Sequence, residues 1–253
     1  MNDHLFIIGA QRSGTTYLRN VLDAHPGVFM ARSVNAEPKY FLDVGSAVDD
    51  YSVYWKKYFL EAENIKWLGE KSTSYLERED AARNIKSKIP DAKILVILRD
   101  PVERAISNYC FSRENGIEPY GIEKALSEEP ARIDTWPSEQ FSVSPYAYTD
   151  RGKYMQHLEF WEHNFSKDNL IVLASERFIG NQAEVASLYE KLGLDSGFIP
   201  TCLDERVNAG ASGRAGFSMP NSLRDTLKET FKPWNRKLAE HFGLDVSCWS
   251  GMS

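Results

Sequence analysis

Cysteine is scarce in this sequence, and its three residues do not form a recognisable set. Cys110, Cys202 and Cys248 are widely spaced among 253 residues, and no C-x-x-C pair occurs. An odd number at such spacing indicates neither a disulfide framework nor a zinc site. We therefore expect a protein of a reducing, cytoplasmic compartment.

Long apolar runs are also missing. The first apolar stretch, Leu5–Ile8, has no basic segment before it and is too short for a signal peptide or a membrane span. We expect no integral membrane segment. The formal net charge of −6 disfavours broad binding to nucleic acid. The same net charge is compatible with one small anion that is bound by a local cluster of Arg, Lys and backbone amides.

The sequence does contain an alternation of apolar strands and amphipathic helices. This alternation predicts one domain over 1–253, with a P-loop-type three-layer α/β/α fold and a central, mostly parallel sheet. The predicted strands are 5–8, 65–69, 93–98 and 170–173. The predicted helices are 15–24, 77–88, 101–112, 183–192 and 222–242. Asp100 is the predicted N-cap of the third helix, and Pro233 can interrupt the last one. Long loops are predicted at 132–149 and 208–216. Ligands are expected beyond the carboxyl ends of the strands.

The first predicted strand runs into a glycine-bounded loop, Gly9–Thr16, and then into a helix. Backbone amides of such a turn point inward, and the helix N-terminus adds a positive dipole end, so the loop predicts a phosphate site. A loop for ATP or GTP has Lys directly after the second glycine, Gly14. Thr15 stands there instead, and the cation is Arg12, inside the loop. No strand ends in an acidic residue suited to magnesium. We therefore expect phosphate held by basic side chains without a metal.

Two motifs resemble those of the sulfotransferases that use 3′-phosphoadenylyl sulfate (PAPS). Gly9–Leu18 is similar to the loop that binds the 5′-phosphosulfate in that family, and Ile94–Tyr109 is similar to its 3′-phosphate element. Their order and separation also fit the family. The resemblance implies PAPS as the donor and 3′,5′-adenosine bisphosphate (PAP) as a product.

Three further segments resemble the heparan-sulfate-type branch of that family. Glu37–Phe41 is similar to its acidic motif, Glu70–Tyr75 to its Glu-Lys-(Ser/Thr)-Pro-x-Tyr segment, and Ser212–Arg214 to its Lys-Gly-Arg loop. The resemblance thus spans about residues 5–216. The sequence departs from the branch at Arg12, where Lys is frequent, and at Ser212, which replaces the Lys of the late loop.

The resemblance implies roles for the residues of the donor site. Arg12 is expected at the 5′-phosphate and bridging oxygen, where it stabilises charge but cannot act as a general acid. Arg99 and Ser107 are expected at the 3′-phosphate, and Arg214 is expected to close over the donor. The full set of expected donor-binding residues is Gln11, Arg12, Ser13, Gly14, Thr15, Thr16, Arg99, Ser107, Gly213 and Arg214.

The expected catalytic residues are Glu37, Arg12 and Lys71. Glu37 is the candidate general base, and the alternative is an N-cap or a surface acid before Pro38. Lys71 is expected either to neutralise the sulfuryl oxygens or to hold the acceptor, and the alternative is a solvated lysine. Glu70 is expected to orient Lys71 or Arg12, or to take part in the chemistry.

The roles of several other residues, and two alternative classes of function, are not decided by these motifs. His25 is a reserve base. Five aromatic residues either line an acceptor cleft or belong to the core: Tyr146, Tyr148, Tyr154, Phe160 and Trp161. A P-loop small-molecule kinase and a noncatalytic nucleotide-binding protein are alternatives, and the missing loop lysine counts against the kinase.

The acceptor is expected to be a hydroxyl or an amine of a small molecule or an oligosaccharide. A cytosolic enzyme of bacterial type, acting on an oligosaccharide, glycolipid or natural product, fits the acidic charge and the missing export signal. The loop 132–149 is where acceptor specificity is expected, because loops on a rigid scaffold carry it. The oligomeric state does not follow from the sequence.

Overall fold

The centre of the molecule is a parallel sheet, as predicted, and five strands of it lie in the described residues. The computed structural model describes residues 3–33, 37–42, 51–137, 143–205 and 217–252. The strands are β1 Asp3–Gly9, β2 Val28–Met30, β3 Trp67–Lys71, β4 Lys93–Leu98 and β5 Leu170–Ala174. They pair in the order β2-β3-β1-β4-β5. Strand β1 is therefore central, and β3 and β4 flank its carboxyl end.

Helices cover both faces of this sheet and complete the three layers. They are α1 Thr15–Ala24, α2 Tyr51–Tyr58, α3 Glu79–Lys88, α4 Pro101–Glu114, α5 Ile122–Ser127, α6 Glu129–Asp134, α7 Tyr154–Asn164, α8 Ser175–Phe178, α9 Gln182–Lys191 and α10 Asn221–Phe242. Successive side chains of β1 point to opposite faces. Leu5 and Ile7 pack in the cluster with α1 and α9, whereas Phe6 and Ile8 pack in the cluster with α3 and α7. This places a buried core on each side of the sheet.

Some predicted boundaries were wrong. The second predicted strand is shifted toward the chain's C-terminus and is Trp67–Lys71, and the three-residue β2 was too short to recognise. Pro233 does not interrupt α10, because Phe231 and Leu238 are both fully buried and fix the helix to the core on either side of it. The predicted loop 132–149 begins inside α6. The predicted loop 208–216 lies outside the described residues.

The N-terminus of α4 is capped as predicted. The Asp100 side chain accepts hydrogen bonds from the backbone amides of Val102 (2.9 Å) and Glu103 (3.5 Å), and Pro101 occupies the first turn. The cap fixes the point where β4 turns into α4. It therefore fixes the position of Arg99, which lies between them.

None of the three cysteines, all of which lie in the described part, forms a disulfide, and Cys110 and Cys202 are buried. Across the described ranges, no helix is both long enough and apolar enough to cross a membrane.

Candidate active site

The loop between β1 and α1 has the backbone geometry of an anion site. The amide of Ala10 donates to the Ile97 carbonyl on β4 at 2.8 Å, which holds the loop against the sheet edge. Arg12 and Gly14 adopt left-handed backbone angles, with φ of 68° and 92°. A Cβ on Gly14 would lie 2.8 Å from Ile179 Cδ1, so both φ and packing favour glycine. Among the described residues, no side chain caps α1, which leaves its first amides facing the loop.

The side chain of Arg12 reaches from this loop to α4. Its Nε donates to Ser107 Oγ at 3.1 Å, and its Cζ lies 4.8 Å from the centre of the Phe111 ring. On the same side, Arg99 Nη1 lies 3.5 Å from the Arg12 carbonyl oxygen. The structure thus brings together three residues that the sequence analysis expected to bind the donor. Their individual roles stay predictions.

The end of β4 that carries Arg99 is held from several directions. Tyr154 OH donates to the Arg99 carbonyl at 2.8 Å. The Asp100 amide donates to Glu176 Oε1 at 2.9 Å, and the Ser250 amide and hydroxyl donate to Asp100 Oδ2 at 2.8 and 2.6 Å. The C-terminal segment therefore takes part in fixing the predicted 3′-phosphate element.

Arg151 links the phosphate loop to the segment after β3, and the sequence analysis missed it. Its Nη1 donates to Gln11 Oε1, and its Nε donates to Glu77 Oε1 at 2.6 Å. Both partners of this ion pair are buried, with side-chain exposures of 4% and 5%. Arg151 lies outside every predicted element and motif, and the sequence around it carries no local signal of such a contact, because its partners lie 74 and 140 residues away in the chain.

On the β3 side of the loop, Glu37 and Lys71 form an ion pair. Lys71 Nζ lies 3.1 Å from Glu37 Oε1, and each side chain is only 13% exposed. Thr73 Oγ1 donates to the same oxygen at 2.7 Å, and the Thr73 amide donates to Glu37 Oε2 at 3.1 Å. Glu37 therefore neither caps a helix nor lies on the open surface. Lys71 is not an isolated solvated lysine.

Glu70 is completely buried behind this ion pair. Its Oε1 accepts from Tyr75 OH at 2.6 Å and from Ser72 Oγ at 2.7 Å, and its Oε2 accepts from Tyr54 OH at 2.7 Å. Burial raises the pKa of Glu70, and the three hydrogen bonds oppose that shift because they stabilise the carboxylate. With no exposure and three protein donors, Glu70 is placed to organise its neighbours.

The Ser72 and Tyr75 hydroxyls, which donate to Glu70, also accept hydrogen bonds from backbone amides of the segment that contains Glu37. Ser72 Oγ accepts from the Lys39 amide at 2.9 Å, and Tyr75 OH accepts from the Phe41 amide at 3.0 Å. The segment 37–41 is irregular, so these side chains supply partners that a helix or strand would otherwise provide.

Backbone contacts place the Glu37–Lys71 pair beside the phosphate loop. Lys71 is in register with Ile7 of β1, and the Ser72 amide donates to the Ile7 carbonyl at 3.0 Å. The Leu76 amide donates to the Ile8 carbonyl, also at 3.0 Å. Gly9 begins the loop directly after this contact. The predicted base and the predicted phosphate loop thus both lie at the carboxyl ends of the central strands.

Other expected site residues do not join this cluster. His25 follows the C-terminus of α1, at the opposite end of the strands. Its Nδ1 accepts from the Gly27 amide at 3.0 Å, and burial lowers its pKa. Tyr148, Tyr154 and Trp161 are core residues with at most 1% exposure. Phe160 packs against the core, and Tyr146 is half-buried under the Arg132 guanidinium. Gly213 and Arg214 lie outside the described residues.

No metal cluster accompanies the site within the described ranges, where no group of three or more His, Cys, Asp or Glu side chains is arranged to hold an ion.

Comparison with known proteins places these features in a family. Residues 2–208 match the family described as "Sulfotransferase domain". The chain is 27% identical over 269 residues to heparan sulfate glucosamine 3-O-sulfotransferase 3A1 of Mus musculus. That match covers 97% of this chain but 64% of the mouse protein, so the chain spans less than two thirds of that relative's length.

Solved structures share the fold. A sulfotransferase from Alicyclobacillus acidocaldarius superposes with a TM-score of 0.78 at 24% identity, covering 98% of this chain and 99% of the other. A mouse sulfotransferase crystallised with PAP superposes with a TM-score of 0.56 at 16% identity, covering 95% and 88%.

Proposed function

Because the chain belongs to the sulfotransferase domain family, we propose that it transfers a sulfuryl group from PAPS to an acceptor hydroxyl or amine of a carbohydrate-type compound. One observation carries the proposal. Arg12 of the phosphate loop contacts Ser107 of α4 and lies beside Arg99 at the end of β4. The two elements that are predicted to bind anions therefore lie next to each other, which supports a nucleotide with phosphates at both its 5′ and 3′ positions.

The residues present suit such a donor. The loop amides and the start of α1 offer donors to the 5′-phosphosulfate, and Arg12 adds a guanidinium with several N–H groups. Arg99 and Ser107 supply a cation and a hydroxyl for the 3′-phosphate. Gly213 and Arg214 are predicted to close over the donor from the late loop. PAPS brings the activated sulfuryl group, and the protein's own residues bind it, orient it and manage the charge and the proton.

The positions of the charged groups suit the steps of a sulfuryl transfer. A bond forms between the acceptor oxygen and the sulfur while the bond from the sulfur to the phosphate oxygen breaks, and PAP leaves with that electron pair. Glu37 accepts the proton of the acceptor hydroxyl. Arg12 stabilises the charge that develops on the leaving phosphate oxygen. Lys71 lies against Glu37, where its ammonium also neutralises the sulfuryl oxygens.

The carbohydrate acceptor is supported by the resemblance to the heparan-sulfate branch and by the name of the mouse relative. The segment 143–149 borders α4, where Asn108 Nδ2 donates to the Pro145 carbonyl at 3.2 Å. There Arg132 lies 3.6 Å from the centre of the Tyr146 ring. Aromatic rings offer apolar contact area and a guanidinium offers several N–H donors, and a sugar has an apolar face and hydroxyls that can use both. We expect acceptor choice to depend on this surface.

A labelled donor and a panel of acceptors test the proposal. The protein is incubated with PAPS carrying radioactive sulfur and with N-sulfated heparan hexasaccharides, unsulfated oligosaccharides, glycolipids and phenolic natural products. We expect label in at least one carbohydrate product, with a mass gain of one SO₃ group. Transfer to the phenols alone would reject the carbohydrate acceptor, and no release of PAP from PAPS under any condition would reject the donor.

A further inference from the structure

Thr73 makes two hydrogen bonds to the carboxylate of Glu37, one from its side chain and one from its backbone. Thr73 Oγ1 lies 2.7 Å from Oε1, and the Thr73 amide nitrogen lies 3.1 Å from Oε2. Thr73 itself is only 5% exposed. Both donors therefore reach the carboxylate within a largely closed environment, where such bonds are strong.

The contacts are unequally divided between the two carboxylate oxygens. A carboxylate offers about four acceptor positions, two on each oxygen. Oε1 accepts from both Lys71 Nζ and Thr73 Oγ1, so its two positions are filled. Oε2 accepts from the Thr73 amide alone among the contacts made within the described residues. Counting only contacts from the described residues, one acceptor position of Glu37 thus remains for a proton from outside, and it is on Oε2.

The residue type at this position is informative. The branch motif Glu-Lys-(Ser/Thr)-Pro-x-Tyr has proline where this chain has Thr73. Proline has neither a backbone N–H nor a hydroxyl, so it can make neither bond. Both contacts from Thr73 to Glu37 are therefore additions made by this sequence to the motif.

We propose that Thr73 is a positioning residue that fixes the rotation of the Glu37 carboxylate, so that Oε2 is the atom that accepts the acceptor's proton. The proposal rests on the proposed function, because it requires Glu37 to act as the base. Lys71 holds Oε1 from β3, and Thr73 holds both oxygens from the segment after it. A carboxylate held at three points loses little orientational freedom when the acceptor binds.

Substitutions at Thr73 test this proposal. Thr73→Val keeps the volume and the amide but removes the hydroxyl. Thr73→Pro, the residue of the branch motif, removes both donors. Thr73→Ser restores both. Ser74→Ala is the matched control, because it removes a hydroxyl from the neighbouring buried residue. Each variant is assayed for PAP release from PAPS with N-sulfated heparan hexasaccharides as acceptors, and with water alone as a slow acceptor.

We expect kcat to fall roughly tenfold in Thr73→Val and roughly a hundredfold in Thr73→Pro. Thr73→Ser and Ser74→Ala should stay within about twofold of the wild type. The Kd for PAP should not change in any of them. The charged groups facing Glu37 are Lys71 and the buried Glu70, and both are unaltered.

Several results would overturn the proposal. Full kcat in both Thr73→Val and Thr73→Pro would show that Thr73 does not position the Glu37 carboxylate. An unchanged kcat with a raised KM for the hexasaccharide would show that Thr73 contacts the acceptor instead. Equal losses in Thr73→Val and Ser74→Ala, with matching falls in melting temperature, would indicate a structural role. A wild type that consumes no PAPS would instead contradict the proposed function, so the two failures are distinguishable.

Discussion

The two sides of the phosphate loop use different means to hold their functional groups. On the β4 side, the loop and the start of α1 present backbone amides, and the side chains of Asp100, Glu176 and Tyr154 fix the turn that carries Arg99. On the β3 side, the position of Glu37 depends on side chains, namely Lys71, Thr73 and the hydroxyls organised by Glu70. A substitution that leaves the loop backbone unchanged keeps its amides in place, whereas loss of a side chain on the β3 side removes a contact to Glu37.

This difference predicts separable effects. Changes on the β3 side should alter turnover and leave PAP binding intact, because Arg12, Ser107 and Arg99, the residues predicted to bind the donor, meet on the other side of the loop. Changes on the β4 side should alter PAP binding. Arg12 is the exception, because its guanidinium extends from the loop to α4 and is expected to act both on the donor and on the developing charge.

The largest effect is expected for Glu37→Gln. Without the base, kcat should fall by about 10²–10⁴, while PAP should bind as tightly as to the wild type. Single-turnover rates and calorimetric titration with PAP measure the two quantities. The control is Glu63→Gln, an exposed acid remote from the loop. If Glu37→Gln is fully active, Glu37 is not the general base, and the expected difference between the β3 and β4 sides does not hold.

Arg12→Ala should affect both quantities. Loss of one oriented donor to a developing charge lowers kcat by about 10²–10³, and loss of a charged contact to phosphate weakens PAP binding as well. Arg12→Lys, which introduces the residue frequent in the branch, should restore most of kcat. If Arg12→Ala binds PAP as tightly as the wild type, the assignment of Arg12 to the donor is wrong.

A smaller and more selective effect is expected for Arg99→Ala. The Kd for PAP should rise by about ten- to a hundredfold, which corresponds to one charged hydrogen bond of about 1.5–3 kcal/mol. The Kd for adenosine 5′-phosphate, which has no 3′-phosphate, should not change. Competition titrations give the ratio of the two. Equal weakening of both nucleotides would show that Arg99 acts on the fold of the loop and not on the 3′-phosphate.

The smallest effect is a pH-dependent stability difference at Glu70. Burial raises the pKa of this carboxyl above its ordinary value of 4.5, so the folded state binds the proton more tightly than the unfolded state. The free energy of unfolding of the wild type should therefore fall, relative to Glu70→Gln, as the pH rises from 4.5 through the raised value. The loss is about 1.4 kcal/mol for each pH unit by which the pKa is raised. Urea unfolding at a series of pH values measures it, and parallel curves for the two proteins would contradict it.

The same contrast explains what the sequence could predict. The loop Gly9–Thr16, strand β4 and the cap at Asp100 are local patterns, and local spacing determines their backbone geometry. Helix α1 was predicted with its observed bounds, Thr15–Ala24. Strand β2 is three residues long, too short for a periodic pattern, and Pro233 is held in a helix by packing that propensity does not describe.

The β3 side was predictable only in part. The resemblance named Glu37 and Lys71, but it gave no reason to connect Glu37 with Thr73, because the two lie 36 residues apart and meet through an irregular segment. The one available signal was that a side chain with a hydroxyl stands where the branch motif has proline. The link from Arg151 to Gln11 spans 140 residues and had no signal at all.

A direct comparison of two donors tests the central claim, that the loop and the end of β4 together hold PAPS. The protein is given PAPS and, in parallel, ATP with magnesium, each with the same carbohydrate acceptors, and the nucleotide products are quantified. We predict that PAPS is converted to PAP with one sulfated product for each PAP, and that ATP is not consumed. Transfer of the γ-phosphate from ATP, with PAPS untouched, would contradict the account.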